Sequence, residues 1–481
     1  MGRALLRPGG PCGGDGCRAH PLAASVGVLG HRSRRPPHAR RRGGVRPRDS
    51  GRVPGRRPAR AAALGAPRGT TGRARRPCPP LLERDGRGLG MSAVQRLRVL
   101  VVAPERHPLR QPHAGGLEAV VWNRVRWLRR RGHDVELCAA EGSDFLGGTA
   151  DFLLPSPRWE RAGDVSDSDN PVGHRRRMTD AFARVRRRLA EPRRRVDVVD
   201  NHSLHSDPIL WSRDSGVPVV TTLHTPPLPE MVKAARSLPG SAPHRFLAVS
   251  QYTARAWSAE GVDAFVFPNG VDSSHWRRGA GGDGWVWFGR IVPEKAPHLA
   301  IEAARRAGAR LRIAGRIGDP EYFAREVQPR LGDGIEYLGA LRQPELCDLV
   351  GASSVALVTP VWSEPFGLVM AEALMTGTPV VAFDSGGASE VLAGLPGCTV
   401  VPAGDVDALA RAATVLSRGS ESATTRDHVR AGAAARHSVA RRHREIERVL
   451  SMAAQGAARA GDPIRAGETV GADETVGAVG A

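Results

Sequence analysis

Two glutamates that stand eight positions apart, Glu364 and Glu372, mark the stretch of sequence with the clearest chemical content. The stretch reads S-E-P-F-G-L-V-M-A-E-A-L-M, and most of its residues are apolar. Burying a carboxylate is unfavourable unless a polar group meets it. A helix cap could explain Glu364 and a surface position could explain Glu372. However, the apolar neighbours of Glu372 leave little room for a solvated face, so we expect the pair to bind a ligand.

The residues that flank the pair predict a helix over 365–375. Pro365 suits the first position of a helix, while Gly377 and Pro379 form a stop signal. Eight residues at a rise of ~1.5 Å would place the two glutamates ~12 Å apart along the axis. That distance is close to the span from a hexose, across a diphosphate, to a ribose.

The start of this helix also offers groups that bind anions. The backbone amides of Phe366, Gly367 and Leu368 would point outward there, and the helix dipole favours a negative charge. A carboxylate can accept two hydrogen bonds from a vicinal diol, which both a sugar and a ribose provide. The stretch therefore predicts a site that holds a nucleotide-sugar between Glu364 and Glu372.

Two basic residues could neutralise the diphosphate of such a ligand. Arg290 and Lys295 follow the strand-like run W-V-W-F, and they combine a bidentate guanidinium with a compact ammonium. A solvated surface pair is the alternative, which the neighbouring glutamates disfavour. The acidic triplet 167–169, D-S-D, has the composition of a metal-binding D-x-D pair, but no strand leads into it. We interpret it as part of a polar loop, and we expect no metal and no cofactor.

Polar residues also stand at the ends of two predicted strands in the first half of the chain. His224 ends V-P-V-V-T-T-L-H, and Asp200 and His202 end V-D-V-V-D-N-H. His224 has two interpretations: it is a polar residue at the end of a strand, or it contacts a ligand. Asp200 and His202 could line the site of a second substrate.

Elements that could position these residues begin at residue 96, where apolar runs start to alternate with amphipathic helices. Strands are predicted at 97–103, 134–139, 196–199, 217–223, 246–249 and 264–267, and a helix at 117–131. This alternation indicates a doubly wound α/β domain over residues 96–270.

A second series of alternating elements predicts another domain over residues 283–445. Its strands are expected at 285–289, 311–315, 335–339, 355–359 and 380–383, and its helices at 297–307, 320–330, 343–351 and 365–375. The turn P-N-G-V-D at 268–272 and the Gly-rich stretch 279–284 mark the junction. Two such domains imply a cleft in which ligands lie at the carboxyl ends of the strands.

The charge of the chain is concentrated in one segment. Residues 1–90 hold 21 arginines, no lysine and four acidic residues, which accounts for +17 of the formal net charge of +21. Their Arg, Pro and Gly content predicts disorder. A misassigned start before Met91 is one explanation, and a basic arm that binds nucleic acid is the alternative. The Ala-, Gly- and Thr-rich segment 456–481 is also predicted to be disordered.

The remaining sequence signals point to a cytoplasmic protein with reduced thiols. The six cysteines include no C-x-x-C pair and no metal-ligand spacing. We find no signal-peptide core and no apolar run long enough to span a membrane, so at most peripheral membrane contact is expected. A G-x-G-x-x-G fingerprint after the first strand is also missing, which disfavours a nicotinamide dehydrogenase.

Several motifs together resemble the retaining glycosyltransferases of family 4, the GT4 type, over residues 96–445. The motif E-P-F-G-L-x-x-x-E followed by G-T-P-V-V at 377–381 is the most specific. Gly115 and Gly116 look like the N-terminal glycine loop of the family, and Gly386-Gly387 with Glu390 like its loop after a strand. Phe288-Gly-Arg290 with Lys295 resembles its phosphate-binding loop, although Ala296 stands where the family commonly has glycine.

The resemblance implies a GT-B fold, in which two Rossmann-like domains face each other across a cleft. It further implies transfer of a hexosyl group from a nucleotide-diphosphate sugar, with retention of configuration and without metal, to a sugar, lipid or small-molecule acceptor. His224 stands where the family often has a histidine near the donor sugar. We therefore expect Glu364, Arg290, Lys295 and His224 to be catalytic.

In the same interpretation Gly115, Gly116, Phe366, Gly367, Leu368 and Glu372 bind the donor. Two rival functions stay open. A GT-B-like nucleotide-sugar epimerase would use the same fold, and residues 1–90 could bind nucleic acid, although no specific nucleic-acid partner is expected.

Overall fold

The computed structural model describes residues 96–144, 150–158, 171–191, 195–420 and 422–460. These residues all belong to one compact unit of the chain. The predicted extension 1–90, the D-S-D triplet at 167–169 and the end of the predicted C-terminal tail from residue 461 lie outside the described residues. In the part of the chain that is described, no helix has both the length and the apolar character needed to cross a membrane.

The first domain is built on a seven-stranded parallel sheet. Its strand order is β3-β2-β1-β4-β5-β6-β7, with β1 (Arg98–Val102), β2 (Asp134–Ala140), β3 (Phe152–Leu154), β4 (Val198–Asn201), β5 (Val219–Leu223), β6 (His244–Ala248) and β7 (Phe265–Val266). Helices pack on both faces, so the central strands must be apolar on both sides. Val99, Leu100 and Val101 of β1 are accordingly buried.

Among the described residues, five helices connect these strands: α1 (Gly116–Arg130), α2 (His174–Leu189), α3 (Asp207–Ser215), α4 (Pro229–Arg236) and α5 (Gln251–Ala259). The helix predicted at 117–131 is confirmed as α1. It buries Val121, Val125 and Leu128, which recur on one face at helical spacing. The sequence interpretation missed β3, because a strand of three residues is too short to show a pattern.

The second domain repeats the arrangement with a six-stranded parallel sheet. The strand order is β10-β9-β8-β11-β12-β13, with β8 (Trp285–Phe288), β9 (Leu311–Ala314), β10 (Ile335–Tyr337), β11 (Val355–Val358), β12 (Val380–Phe383) and β13 (Cys398–Val401). Each of the five predicted strands is present, and β13 was missed. Both sheets show the doubly wound order expected from the alternating pattern.

The helices of the second half are α6 (Pro297–Ala307), α7 (Pro320–Tyr322), α8 (Gln343–Gly351), α9 (Leu368–Met375), α10 (Ala388–Leu392), α11 (Val406–Gly419), α12 (Ala423–His437) and α13 (Val439–Ala460). The helix predicted at 320–330 is not continuous. After α7 the chain forms a π turn at Phe323–Val327 and a 3-10 turn at Gln328–Arg330. Pro329 has no N–H to donate, which prevents regular α-helical bonding there.

The last helix returns to the first domain, which differs from the predicted boundaries at 445 and 456. Helix α13 runs to Ala460, and its Ile446, Val449 and Leu450 are buried in the core that α1 and β1 also form. His133 Nε2 lies 2.9 Å from Glu447 Oε1 of this helix. Helix α13 therefore ties the two domains together, because its apolar face completes the first core.

A buried arginine fixes the segment that joins the domains. Arg426 of α12 is fully buried and donates to the backbone oxygens of Gly279 at 3.2 Å and Gly351 at 2.8 Å. Gly351 ends α8, where the helix dipole favours a cation. A Cβ on Gly279 would lie 2.2 Å from the Gly351 backbone, so this close approach requires glycine.

Candidate active site

A cleft of about 870 Å³ lies between the two domains, at the carboxyl ends of strands from both sheets. Its walls come from the loops after β1, β5, β8, β9 and β11. The ten residues predicted to be catalytic or to bind the donor all line this cleft: Gly115, Gly116, His224, Arg290, Lys295, Glu364, Phe366, Gly367, Leu368 and Glu372. Parallel strands explain this convergence, because their carboxyl ends meet at one edge of each sheet.

Glu364 is held by two side chains on the same wall of the cleft. Its Oε2 contacts Nζ of Lys295 and accepts a hydrogen bond of 3.0 Å from Nε1 of Trp362. The Lys295 ammonium also lies 5.0 Å from the centre of the Trp362 ring. Sequence reasoning assigned Glu364 and Lys295 to different parts of the ligand, whereas the structure places them in direct contact. Sequence reasoning also missed Trp362, although an aromatic residue two positions before Glu364 was a visible signal.

The glycine loop after β12 supports the backbone of Glu364. The Gly387 N–H donates to the Glu364 carbonyl oxygen at 2.7 Å. Gly386 has φ 63°, and a Cβ there would lie 2.1 Å from the same oxygen. Only glycine combines that backbone conformation with so close an approach. The motif G-G-x-x-E therefore positions the loop that carries Glu364.

Helix α9 begins three residues later than the sequence predicted. Gly367 precedes it with φ 74°, a left-handed conformation that cannot continue a helix, and α9 starts at Leu368. Pro365 is therefore not the first helical residue, and the spacing of ~12 Å that we derived from a continuous helix does not apply. Instead, the Pro365 carbonyl accepts a hydrogen bond of 2.6 Å from Ser250 of the first domain.

The backbone amides at the start of α9 face the cleft region without internal partners. Within the described residues, the N–H groups of Phe366, Gly367, Leu368 and Val369 donate no hydrogen bond to protein. Such amides are the expected donors of an anion site at a helix N-terminus. The Phe366 ring itself is buried in the core and packs edge-on against His437, so only its backbone can serve a ligand.

Glu372 lies in the second turn of α9 and is half-buried on the cleft wall. Burial raises the pKa of its carboxyl group to about 8. A carboxyl group that is mostly protonated at neutral pH and open to a ligand cavity is poised to change its charge when a ligand binds. The raised pKa of Glu372 could not be predicted from the sequence, because it depends on the depth of the cleft.

The loop after β8 carries Arg290 and Lys295. Arg290 Nη2 lies 3.5 Å from Glu294 Oε1. The loop ends at Ala296, which has φ 47° and is fully buried. That left-handed conformation explains why the family commonly has glycine at this position. Thr359 stabilises the loop by donating to the Lys295 carbonyl oxygen at 2.9 Å.

The glycine loop before α1 reaches across to the second domain. Gly116 faces Leu368 of α9, and a Cβ on this glycine would lie 3.4 Å from Leu368 Cδ2. Arg316, which follows β9, donates from Nε to the Ala114 carbonyl oxygen at 3.2 Å. Sequence reasoning missed Arg316, although its place directly after a strand was the same signal that identified Arg290.

His224 lines the cleft, while Asp200 and His202 lie behind it. Nε2 of His224 is 2.9 Å from Nδ1 of His202, and Nε2 of His202 is 3.2 Å from Oδ1 of Asp200. Asp200 also accepts a hydrogen bond of 2.9 Å from Arg124. Because Asp200 and His202 are fully buried, the expectation that they line a substrate site is wrong.

A second contact between the domains lies beside this wall. The side chain of Glu390 accepts hydrogen bonds from the backbone N–H groups of Gln251 at 2.8 Å and Tyr252 at 3.1 Å. These are the first residues of α5. Glu390, the acidic member of the motif G-G-x-x-E, thus caps a helix of the opposite domain.

Within the described ranges, no group of three or more His, Cys, Asp or Glu side chains could hold a metal ion.

Two sequence families match the two halves of the chain. Residues 114–275 match the family described as Glycosyltransferase Family 4, and residues 283–418 match that described as Glycosyl transferases group 1. A D-inositol 3-phosphate glycosyltransferase of Kribbella flavida is 32% identical over 374 residues, which cover 66% of this chain and 87% of the relative. A phosphatidyl-myo-inositol mannosyltransferase of Mycolicibacterium smegmatis is 30% identical over 200 residues, 38% of this chain and 50% of the relative.

Solved structures share the fold. The Anabaena protein HepE in complex with UDP and glucose superposes with a TM-score of 0.57 at 19% identity, covering 74% of this chain and all of HepE. A sucrose-phosphate synthase of Thermosynechococcus elongatus gives a TM-score of 0.58 at 16% identity, covering 74% and 99% of the two chains. With the two facing domains and the cleft, these matches show that the chain is a glycosyltransferase of family 4 with the GT-B fold.

Proposed function

We propose that the chain transfers a hexosyl group from a nucleotide-diphosphate sugar to an acceptor, with retention of anomeric configuration and without a metal ion. The observation that carries this proposal is the composition of one wall of the cleft. Arg290 and Lys295 stand there beside the unpaired amides at the start of α9, and Glu364 and Glu372 lie on either side of those amides. HepE, which shares the fold, is described in complex with UDP and with UDP-glucose.

The diphosphate would lie against the positive groups of this wall. A guanidinium offers two parallel N–H donors to phosphate oxygens, an ammonium supplies a point charge, and free helix amides add oriented dipoles. These groups can stabilise the negative charge that develops on the leaving nucleoside diphosphate. Arg290 and Lys295 would thereby take the part that a divalent cation takes in metal-dependent transfer.

The two glutamates would bind the two ends of the donor. Glu372 would accept hydrogen bonds from the ribose hydroxyl groups. Glu364 engages Lys295 and Trp362 through Oε2, so its Oε1 is the atom that could accept from a sugar hydroxyl. The contact with Lys295 would hold the Glu364 side chain in place beside the sugar.

Retention would follow from reaction on one face of the sugar. The acceptor oxygen forms a bond to the anomeric carbon while the bond from that carbon to the phosphate oxygen breaks, and the departing phosphate oxygen takes the acceptor proton. No protein base is needed for this proton transfer. The role of the protein is to orient both substrates and to stabilise the leaving group.

The acceptor we propose to test first is an inositol phosphate. The 32% identical relative is named for D-inositol 3-phosphate. In this chain, Arg106 and Arg175 line the part of the cleft that the first domain forms. Arginine side chains bind phosphate groups well, although Glu230 of the same wall pairs with Arg175 at 3.3 Å, so a phosphorylated polyol is the first acceptor to test.

The proposal is tested with a panel of UDP-, GDP- and ADP-sugars, with and without inositol phosphate, in the presence of EDTA. We expect one donor to be consumed, transfer to require an acceptor, and activity to survive chelation. Conversion of the donor to its epimer without an acceptor would support the rival epimerase function. Loss of activity in EDTA with rescue by manganese or magnesium would contradict the metal-independent site.

A further inference from the structure

A buried chain of polar groups ends at the cleft and includes residues that the reaction itself does not touch. Arg124 Nη1 donates to Asp200 Oδ2 at 2.9 Å, and Asp200 Oδ1 lies 3.2 Å from His202 Nε2. His202 Nδ1 then lies 2.9 Å from His224 Nε2. Within the described part of the chain, His202 is the one hydrogen-bond partner of the His224 imidazole. The Nδ1 atom of His224 is therefore left for the cleft that this residue lines.

The charge state of Asp200 determines whether the Nε2 atom of His202 carries a proton. Burial alone would raise the pKa of Asp200, but the neighbouring His202 and Arg124 more than offset this and hold it below its ordinary value. Asp200 is therefore a carboxylate, which can only accept hydrogen bonds. The Oδ1 atom lies 3.2 Å from His202 Nε2 without forming a well-aligned hydrogen bond. A bare nitrogen there would set its lone pair against those of the carboxylate, so the Nε2 atom of His202 carries a proton.

Whether His202 also carries a proton on Nδ1 follows from the balance of buried charges. Arg124 already neutralises Asp200, and the side chain of His202 is fully buried. A further positive charge on His202 would have no counter-ion, which is strongly unfavourable. His202 is then neutral, with a bare Nδ1 atom that accepts a hydrogen bond from His224.

The same reasoning sets the tautomer of His224. Burial, which is the largest effect, and the charge of Arg124 lower the pKa of His224 well below its ordinary value, so the imidazole is neutral. A neutral imidazole carries one proton. Because that proton lies on Nε2 between the two rings, Nδ1 of His224 has a free lone pair.

We propose that Asp200 and His202 are positioning residues that hold His224 as the Nε2–H tautomer, so that its Nδ1 accepts a hydrogen bond from a hydroxyl group of the bound substrate. The identity of that substrate as a nucleotide-sugar or its acceptor rests on the function proposed above. The arrangement makes His224 selective for a group that donates a hydrogen bond. A fluorine at the same position of the sugar cannot donate and is disfavoured.

We call the series Asp200, His202 and His224 the relay. The variant Asp200→Asn tests it by replacing one carboxylate oxygen with an amide nitrogen. The Asn oxygen is expected to face Arg124, since a guanidinium only donates, and the amide NH₂ then faces His202. The relay reverses: His202 accepts at Nε2 and donates from Nδ1, and His224 must carry its proton on Nδ1. His224 would thus present a donor to the cleft instead of an acceptor.

The first measurement is the ¹⁵N spectrum of the histidine rings in the free protein, in which the two neutral tautomers give different two-bond correlations. The signals of His224 are assigned by their loss in His224→Gln. We expect an Nε2–H tautomer in the wild-type protein and an Nδ1–H tautomer in Asp200→Asn. This readout needs no substrate, so it separates failure of the relay from failure of the proposed function.

The second measurement is turnover of the accepted donor and of its deoxyfluoro analogues. At the one hydroxyl that His224 contacts, we expect the wild-type protein to prefer the hydroxyl over fluorine by about tenfold to a hundredfold, and Asp200→Asn to lose that preference. Preferences at the other hydroxyls should persist. The control is Asp197→Asn, an acid-to-amide change just before the same strand whose partner is Arg98, and it should behave like the wild-type protein.

An Nδ1–H tautomer in the wild-type protein, or an unchanged tautomer in Asp200→Asn, would overturn the proposal. An unchanged fluorine preference in a variant whose tautomer has reversed would also overturn it. If Asp200→Asn does not fold, the wild-type spectrum decides by itself, because it shows directly which nitrogen carries the proton.

Discussion

At the residue scale, Lys295, Trp362 and Glu364 are in mutual contact, so replacing one of them changes the surroundings of the others. The ammonium of Lys295 contacts Glu364 and lines the cleft, so a phosphate that enters would compete with Glu364 for it. Removing Glu364 would free Lys295 for the diphosphate, whereas removing Lys295 would leave a nearly buried carboxylate without its charge partner. The two substitutions should therefore have opposite effects on the binding of a nucleoside diphosphate.

The raised pKa of Glu372 predicts that donor binding is linked to proton release. At pH 7 the carboxyl group, with a pKa of about 8, is mostly protonated in the free protein. Accepting hydrogen bonds from both ribose hydroxyls favours the carboxylate, so binding must release the proton. Affinity for the nucleoside diphosphate should rise with pH up to about 8 and then level off.

Calorimetry in buffers with different ionisation enthalpies measures this proton release directly. We expect nearly one proton per bound nucleotide at pH 7 in the wild-type protein and none in Glu372→Gln. Equal proton release in both proteins would show that another group titrates.

At the scale of secondary-structure elements, the loop after β12 makes contacts in both domains. Gly386 and Gly387 support the backbone of Glu364, while Glu390 caps α5 of the opposite domain. One short loop thus connects the position of a site residue to the contact between the domains. The sequence identified the motif, but its link to the other domain could not be read from spacing, because α5 lies more than a hundred residues away in the chain.

Substituting Glu390 tests the role of this cap. Glu390→Ala removes the acceptor for two N–H groups of α5, so we expect the free energy of unfolding to fall by about 0.5–2 kcal/mol. Thermal or denaturant unfolding measures the change. The matched control is Glu260→Ala at the opposite end of α5, where Glu260 is exposed and its charge is unfavourable to the helix dipole. A loss in the control as large as in Glu390→Ala would argue against the cap.

At the scale of the whole molecule, the fold was largely predictable because both domains follow a strong periodic pattern. Every predicted strand is present, since buried parallel strands are continuous apolar runs. The predicted site residues line one cleft because strand ends converge at one edge of each sheet. Three further features could not be predicted: the return of α13 to the first domain, the delayed start of α9 after Gly367, and the pairing of Lys295 with Glu364. Each depends on tertiary contacts or on a single backbone conformation.

The composition of residues 1–90 leads to a prediction about the whole chain. A protein that begins at Met91 should keep its unfolding midpoint and its turnover, because the first described core residue is Leu97. Circular dichroism and the transfer assay are the measurements. If the shortened protein is insoluble or inactive, the extension has a role in folding or catalysis that its composition does not indicate.

The central claim is that Glu372 holds the nucleotide and Glu364 the sugar, in one cleft. The measurement that tests it most directly is calorimetry of nucleoside diphosphate binding to Glu372→Ala and Glu364→Ala, beside steady-state turnover of the same proteins. Glu372→Ala should weaken diphosphate binding roughly ten- to a hundredfold. Glu364→Ala should leave that affinity intact or raise it, since Lys295 is released, while turnover collapses. Equal loss of diphosphate affinity in both variants would contradict the division of roles, and unchanged turnover in both would contradict the assignment of the active site.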